Sequence, residues 1–369
     1  LEEEIKVLRA EICEIAGYDI NPNSPVQMCS LAYDKLKIPC RQRSTGKDVV
    51  VKWPKSPLKT ALQKYRKATK AYSTYVIGLK ENVSIDMRAH STYLLHGTRT
   101  GRLASRKPNL QNIPREKRMK GQFRAEPGYI LIDGDASQAE LRSLAIQSGD
   151  PELCAIFNSS ERSLHKEVAI ALYGEDYTED QYVRAKAVNF GIAYGREAFS
   201  LAEEFDISVR EAQAMIDGWF ARFPVAKAYI DKCRMAPVHK QTIINAFGRK
   251  CRPGIVSREN MKDVQNQFAN FPHQSTASDI TLHVGMRVHP LLEGIGARIV
   301  NIVHDNLVVE CPNEIEKVQQ VQKWIEDAFY EVPREWGLTK VPFKSECKLC
   351  YNWGTAIKEE EWLKERMAA

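Results

Sequence analysis

No apolar run in this sequence of 369 residues approaches the ~20 residues that a membrane-crossing helix requires. Residues 1–17 have neither the basic start nor the small-residue cleavage site of a secretory signal. The expectation is a cytoplasmic chain without membrane contact. There is no disulfide framework either, because the nine cysteines are an odd number scattered from Cys13 to Cys350, as suits reduced thiols. Cys347 and Cys350 form a C-x-x-C, but no second ligand pair is spaced to complete a zinc site, so both are read as structural. Internal repeats and low-complexity tracts are absent. A formal charge of +6 is mildly basic and by itself does not establish nucleic-acid binding. The remaining composition is that of an ordinary globular protein, long enough for two or three subdomains.

Leu1, Ile5, Leu8, Ile12 and Ile15 recur at helical spacing, with Gly17 as a stop, so the chain opens inside a helix and further sequence is expected upstream. Residues 39–57 read as a loop rich in Lys, Arg, Pro, Ser and Gly. A helix then carries Leu58, Leu62, Tyr65, Thr69 and Tyr72 on one face. Lys59, Lys64, Arg66, Lys67 and Lys70 crowd the rest, an acid-free run that reads as a phosphate grip. From Tyr129, YILIDGD is an apolar strand ending in acids. Helical periodicity dominates from Glu152 to Met235, with Asp180 to Gly195 as one long helix. ARIVNIVHDNLVVEC, residues 297–311, is a hairpin with His304 and Asp305 at its tip. Together these predict an α+β fold, one sheet interrupted by helices.

Asp135 and Asp305 lie at distant strand ends. Two such carboxylates suit a two-metal site, and magnesium takes carboxylates together with substrate phosphates. Taken singly, each would more often cap a turn. Asp133 and Asp135 also make a D-x-D, the pattern by which some glycosyltransferases hold a metal and a nucleotide diphosphate. The helix between the acids decides, because Tyr182, Lys186, Phe190 and Tyr194 recur every four residues and share a face. A cation followed by rings is a nucleotide surface: Lys186 can neutralise phosphate and protonate a leaving pyrophosphate, and Phe190 can stack under base or sugar.

D-A-S-Q-A-E-L-R at 135–142, K-x-x-x-F-G-x-x-Y-G at 186–195 and V-H-D at 303–305 resemble, in order and spacing, the three polymerase motifs of family A DNA polymerases. TGRLAS at 100–105, PNLQNIP at 108–114 and NFPHQSTASD at 270–279 are similar to the family's primer and template segments, and STYVIGL at 73–79 to part of its thumb. The resemblance implies a right-hand polymerase fold with an antiparallel palm sheet. Residues 1–95 would be a thumb lacking its first portion, 96–150 the first part of the palm, 151–260 the fingers, and 261–369 the second part of the palm with a C-terminal tail. It implies DNA-directed DNA synthesis in replication or repair, by a bacterial enzyme or by one of a phage, acting in the host cytoplasm, or of an organelle. Asp135, Asp305 and the carbonyl of Ala136 would hold two magnesium ions. Gln138, His165, Lys186 and Phe190 would bind the incoming deoxynucleoside triphosphate. Glu140, hydrogen-bonded by Tyr194, would exclude a 2′-hydroxyl. Arg102 and Gln274 would read minor-groove acceptors, and Gln111, Asn270 and His304 would support primer-template DNA. The catalytic module would act as a monomer, with a proofreading exonuclease upstream or a processivity partner as further components.

Three positions depart from the family pattern. Tyr182 stands where the family carries an arginine, and Arg184, two residues on, is rotated ~200° from Lys186. The lost charged hydrogen bond, ~1.5–3 kcal/mol, costs roughly ten- to hundred-fold in nucleotide use unless Arg196 or Lys166 reaches in. Asn306 replaces an acid and Ala136 a tyrosine. A single-subunit RNA polymerase shares the aspartates and the lysine helix, but Glu140 and Phe190 speak against it. A D-x-D glycosyltransferase leaves the helix and hairpin without purpose, and a polymerase-like protein that only binds DNA is the third alternative.

Overall fold

The structure is a computed structural model describing residues 1–39, 42–193 and 195–367. The chain divides into two compact units, residues 1–92 with 106–108, and residues 93–105 with 109–369.

In the first unit, helix α1 (Glu2–Ala16) packs Leu8, Ile12 and Ala16 against Leu58, Leu62 and Tyr65 of helix α2 (Pro57–Ala71). Gly17 ends α1 in the left-handed conformation, φ 73°, with its N–H bonded to the carbonyl of Cys13. Ser56 caps α2, its hydroxyl accepting from the Lys59 amide, and Pro57 fills the first helical position. The stretch expected to be loop contains a short helix, Lys47–Val50. Lys59 and Arg66, members of the expected phosphate grip, bond backbone carbonyls within this unit. The Lys59 ammonium donates to the carbonyls of Val51 and Trp53, and the Arg66 guanidinium to that of Thr45. Lys64, Lys67 and Lys70 remain exposed.

The second unit is built on a five-stranded antiparallel sheet of β1 (Tyr129–Ala136), β2 (Arg298–Val303), β3 (Asn306–Pro312), β4 (Ser345–Asn352) and β5 (Thr355–Ile357), in the spatial order β2-β3-β1-β4-β5. Central β1 pairs with β3 on one side and β4 on the other, which is why its sequence is nearly all apolar until the acids. Alternation sends Ile130, Ile132, Leu307 and Val309 to one face, into a core with two helices, Met261–Glu293 and Ile315–Glu335. Gly134 lies on that buried face. A Cβ there would come within 2.8 Å of Ile325, so glycine lets the second helix seat directly behind Asp135.

Between β1 and β2 the chain is largely helical, as its periodicity predicts. α3 (Ala139–Ser148), α4 (Pro151–Asn158), α5 (Leu164–Tyr173), α6 (Glu179–Ala193), α7 (Ala198–Phe205), α8 (Val209–Arg222) and α9 (Pro224–Met235) precede α10 (Met261–Glu293), and α11 (Ile315–Glu335) follows β3. Asp150, fully buried, accepts from the Leu153 amide at the start of α4 and from the Val225 and Ala226 amides at the start of α9.

Candidate active site

Strand pairing brings the two distant acids together. β2 and β3 are joined by a two-residue turn, His304 and Asp305, in which His304 takes a left-handed φ of 59°. β3 then pairs Asn306 opposite Asp135. The amide of Ala136 donates to the carbonyl of Asp305 at 3.2 Å, clamping the end of β1 to the hairpin tip. Asp135 is open to solvent at its strand end, yet surrounding protein, then the charges of Asp305 and Asp133, raise its pKa to about 6. Asp305 is also raised, by burial first, with Glu140 adding to the effect. Among the described residues neither carboxylate has a salt-bridge partner within 4 Å.

Those two repelling carboxylates fit a divalent cation, which would relieve what burial and like charge impose on them. Among the described residues no cluster of three or more acidic, histidine or cysteine side chains could hold a metal by itself. Two carboxylates are a hard oxygen donor pair, of the kind a divalent cation shares with other oxygen ligands. Asp133, two positions before Asp135, has hydrogen-bond partners of its own. Its carboxylate accepts from the Trp353 indole at 3.1 Å and from the Asn306 amide, so it orients the residue beside Asp305. Cys347 and Cys350 have free thiols that burial pushes up, Cys350 to about 11.

Glu140, in the first turn of α3, is buried and ion-paired with Arg102. Gln138 precedes it in a left-handed conformation, φ 53°. Tyr194, the expected partner of Glu140, lies outside the described residues. Gln111 uses its amide N–H to donate to the Ile302 carbonyl at 3.1 Å, bracing the strand that leads to His304. Asn270 and Gln274 line a cavity of about 190 Å³ with Arg99, Thr100 and Gln267. Arg115, which no sequence motif singled out, lies close enough with Arg102 to lower the pKa of His304, after burial.

On the helical side, α6 presents Lys186 and Phe190 exposed to solvent, and the Phe190 ring centroid is 5.4 Å from that of His165 on α5. Tyr182 shares this face as its spacing predicts. It lies 6.5 Å edge-on from His165 and stacks on Tyr177 at 6.1 Å. Arg184 points elsewhere, to Asp180 at 2.7 Å and Glu211 at 3.5 Å. Arg196 bonds Ser200 and Glu204. Lys166 remains exposed on α5.

The model of DNA polymerase family A matches residues 1–355. The chain belongs to DNA polymerase family A. It is 34% identical to the thermostable DNA polymerase I of Thermus aquaticus, over 96% of this chain and 44% of that protein. It is also 34% identical to DNA polymerase I of Pseudomonas aeruginosa, over 87% of this chain and 37% of that protein. The chain thus spans under half the length of these relatives. The fold is that of a family A polymerase domain. The POL domain of Pol1 from M. smegmatis, in complex with DNA primer-template and dNTP, superposes with a TM-score of 0.83 at 28% identity, covering 96% of this chain and 65% of that one. Among the described residues no helix is long and apolar enough to cross a membrane.

Proposed function

We propose that this chain is the polymerase module of a DNA-directed DNA polymerase, adding deoxynucleotides to a primer 3′-hydroxyl on a DNA template in replication or repair. The observation that carries the proposal is the convergence of Asp135 and Asp305 at one sheet end, clamped by the Ala136 amide, with Glu140 close enough to raise Asp305. Asp135, Asp305 and the Ala136 carbonyl would hold two magnesium ions. When bound, the ions supply charge neutralisation at the attacking and leaving oxygens. The residues of the chain do the rest. Lys186 neutralises the triphosphate and provides a proton for pyrophosphate, Phe190 packs under the sugar, His165 donates to a phosphate oxygen, and Glu140 fills the space of a 2′-hydroxyl. Arg102 and Gln274 face the minor groove of the new pair, with Gln111, Asn270 and His304 supporting primer and template. In this assignment residues 1–95 are thumb, 96–150 and 261–369 palm, and 151–260 fingers, working as a monomeric module in the cytoplasm.

Primer extension on a templated duplex tests the proposal. Template-directed incorporation of deoxynucleotides is expected with magnesium and none without it, and Asp305→Ala should abolish it. Equal use of ribonucleotides would refute the role of Glu140, and extension by Asp305→Ala would refute the site.

A further inference from the structure

Trp219 of α8, Asn189 of α6 and His165 of α5 form a hydrogen-bonded chain inside the helical segment. The Trp219 Nε1–H donates to Oδ1 of Asn189 at 2.8 Å, and Nδ2 of Asn189 lies 3.0 Å from Nδ1 of His165. All three are buried, Asn189 completely. An indole nitrogen can only donate, so the amide oxygen must face Trp219 and the NH₂ must face His165. Nδ1 of His165 can then only accept, and it carries no proton. Burial, then the charge of Lys186, lowers the pKa of the imidazole to about 4, so the ring is neutral near pH 7 and its single proton sits on Nε2.

We propose that Trp219 and Asn189 are positioning residues that fix His165 as the Nε2–H tautomer, so that it meets the incoming triphosphate as a neutral donor that cannot become an acceptor. The identity of that ligand rests on the polymerase reading; the tautomer does not. With Nε2 bare, the ring would turn a lone pair toward phosphate oxygens, replacing attraction by repulsion. The donor matters more here than it would beside an arginine, because the residue packed edge-on against His165 is Tyr182, an uncharged ring. Asn189 precedes Phe190 and follows Lys186 by three positions on α6, so the group that sets the tautomer is part of the helix that supplies the cation and the ring.

Nitrogen-resolved NMR of the imidazole, on the full chain without DNA or nucleotide, tests this directly. The unsubstituted protein is expected to show one neutral Nε2–H species across the neutral range. Trp219→Phe keeps an aromatic ring and removes the donor. It should release the amide to flip, give a mixture of tautomers, and raise KM for deoxynucleotide roughly three- to tenfold with kcat little changed, the worth of one hydrogen bond. Asn189→Asp should place the proton on Nδ1, and if that variant fails to fold, Trp219→Phe carries the test alone. A purely structural role would lower the melting temperature without moving the tautomer or splitting KM from kcat. An Nδ1–H species in the unsubstituted protein, or a Trp219→Phe variant with tautomer and KM unmoved, overturns the relay. A protein with the Nε2–H tautomer that incorporates no nucleotide overturns the ligand and the polymerase reading with it.

Discussion

Asp150 serves two helices with one side chain, its oxygens accepting from the first amides of α4 and of α9. Asp150→Ala would leave buried N–H groups at both helix starts, and a loss of about 3 kcal/mol is expected in chemical denaturation. Asp135 acts in the opposite direction. Its folded pKa of about 6 lies above the ordinary 3.8, so ionisation works against the metal-free native state and stability falls as pH rises through that window. Asp135→Asn should therefore raise the melting temperature of the metal-free protein while cutting incorporation by about 10³-fold or more. His165 has the reverse sign. Its folded pKa of about 4 is below the free 6.5, so its contribution is complete above the free value and is lost as pH falls toward 4, about 3 kcal/mol in all. Denaturation of the protein and of His165→Gln at neutral and acid pH isolates that term from Asp135, and equal acid sensitivity in the two would contradict it.

At the scale of elements, Gly134 sets how closely α11 approaches the sheet. Gly134→Ala should cost about 1–3 kcal/mol through contact with Ile325, and activity should fall with it because Asp135 is the next residue. The elements themselves were legible beforehand. A short apolar run ending in acids marked β1, alternation around His304 and Asp305 marked the hairpin, and four-residue spacing of Lys186 and Phe190 marked the face of α6. What stayed hidden is bonding between distant side chains, which leaves no periodicity. The Asp-Pro pair at 150–151 announces a helix start, but nothing local says that the same carboxylate holds α9. Asn189 is a polar residue on a buried helix face, a signal that a partner exists, yet only the fold supplies Trp219. Asp133 and Trp353, like Gln111 and Ile302, are likewise far apart in sequence and meet only in the fold.

For the whole molecule, the pairing of Arg102 with Glu140 joins the loop expected to face DNA to the residue expected to judge the sugar. Glu140→Ala should narrow the preference for deoxynucleotides over ribonucleotides by roughly 10- to 100-fold in competitive primer extension. Tyr182→Arg restores a cation on the face of Lys186 and should lower KM for deoxynucleotides by roughly tenfold, the value of a charged hydrogen bond. An unchanged KM would mean that another cation, with Lys166 the exposed candidate, already meets that demand.

The chain of Trp219, Asn189 and His165 also has a mechanical side. α5, α6 and α8 are stitched by two hydrogen bonds that no water competes for, so shifting α6 alone would strand buried polar groups at about 1–3 kcal/mol each. The three helices should therefore open as one cooperative block in hydrogen exchange, their amides sharing a single opening free energy. In motion they would carry cation, ring and imidazole donor together, already in register when they reach a nucleotide.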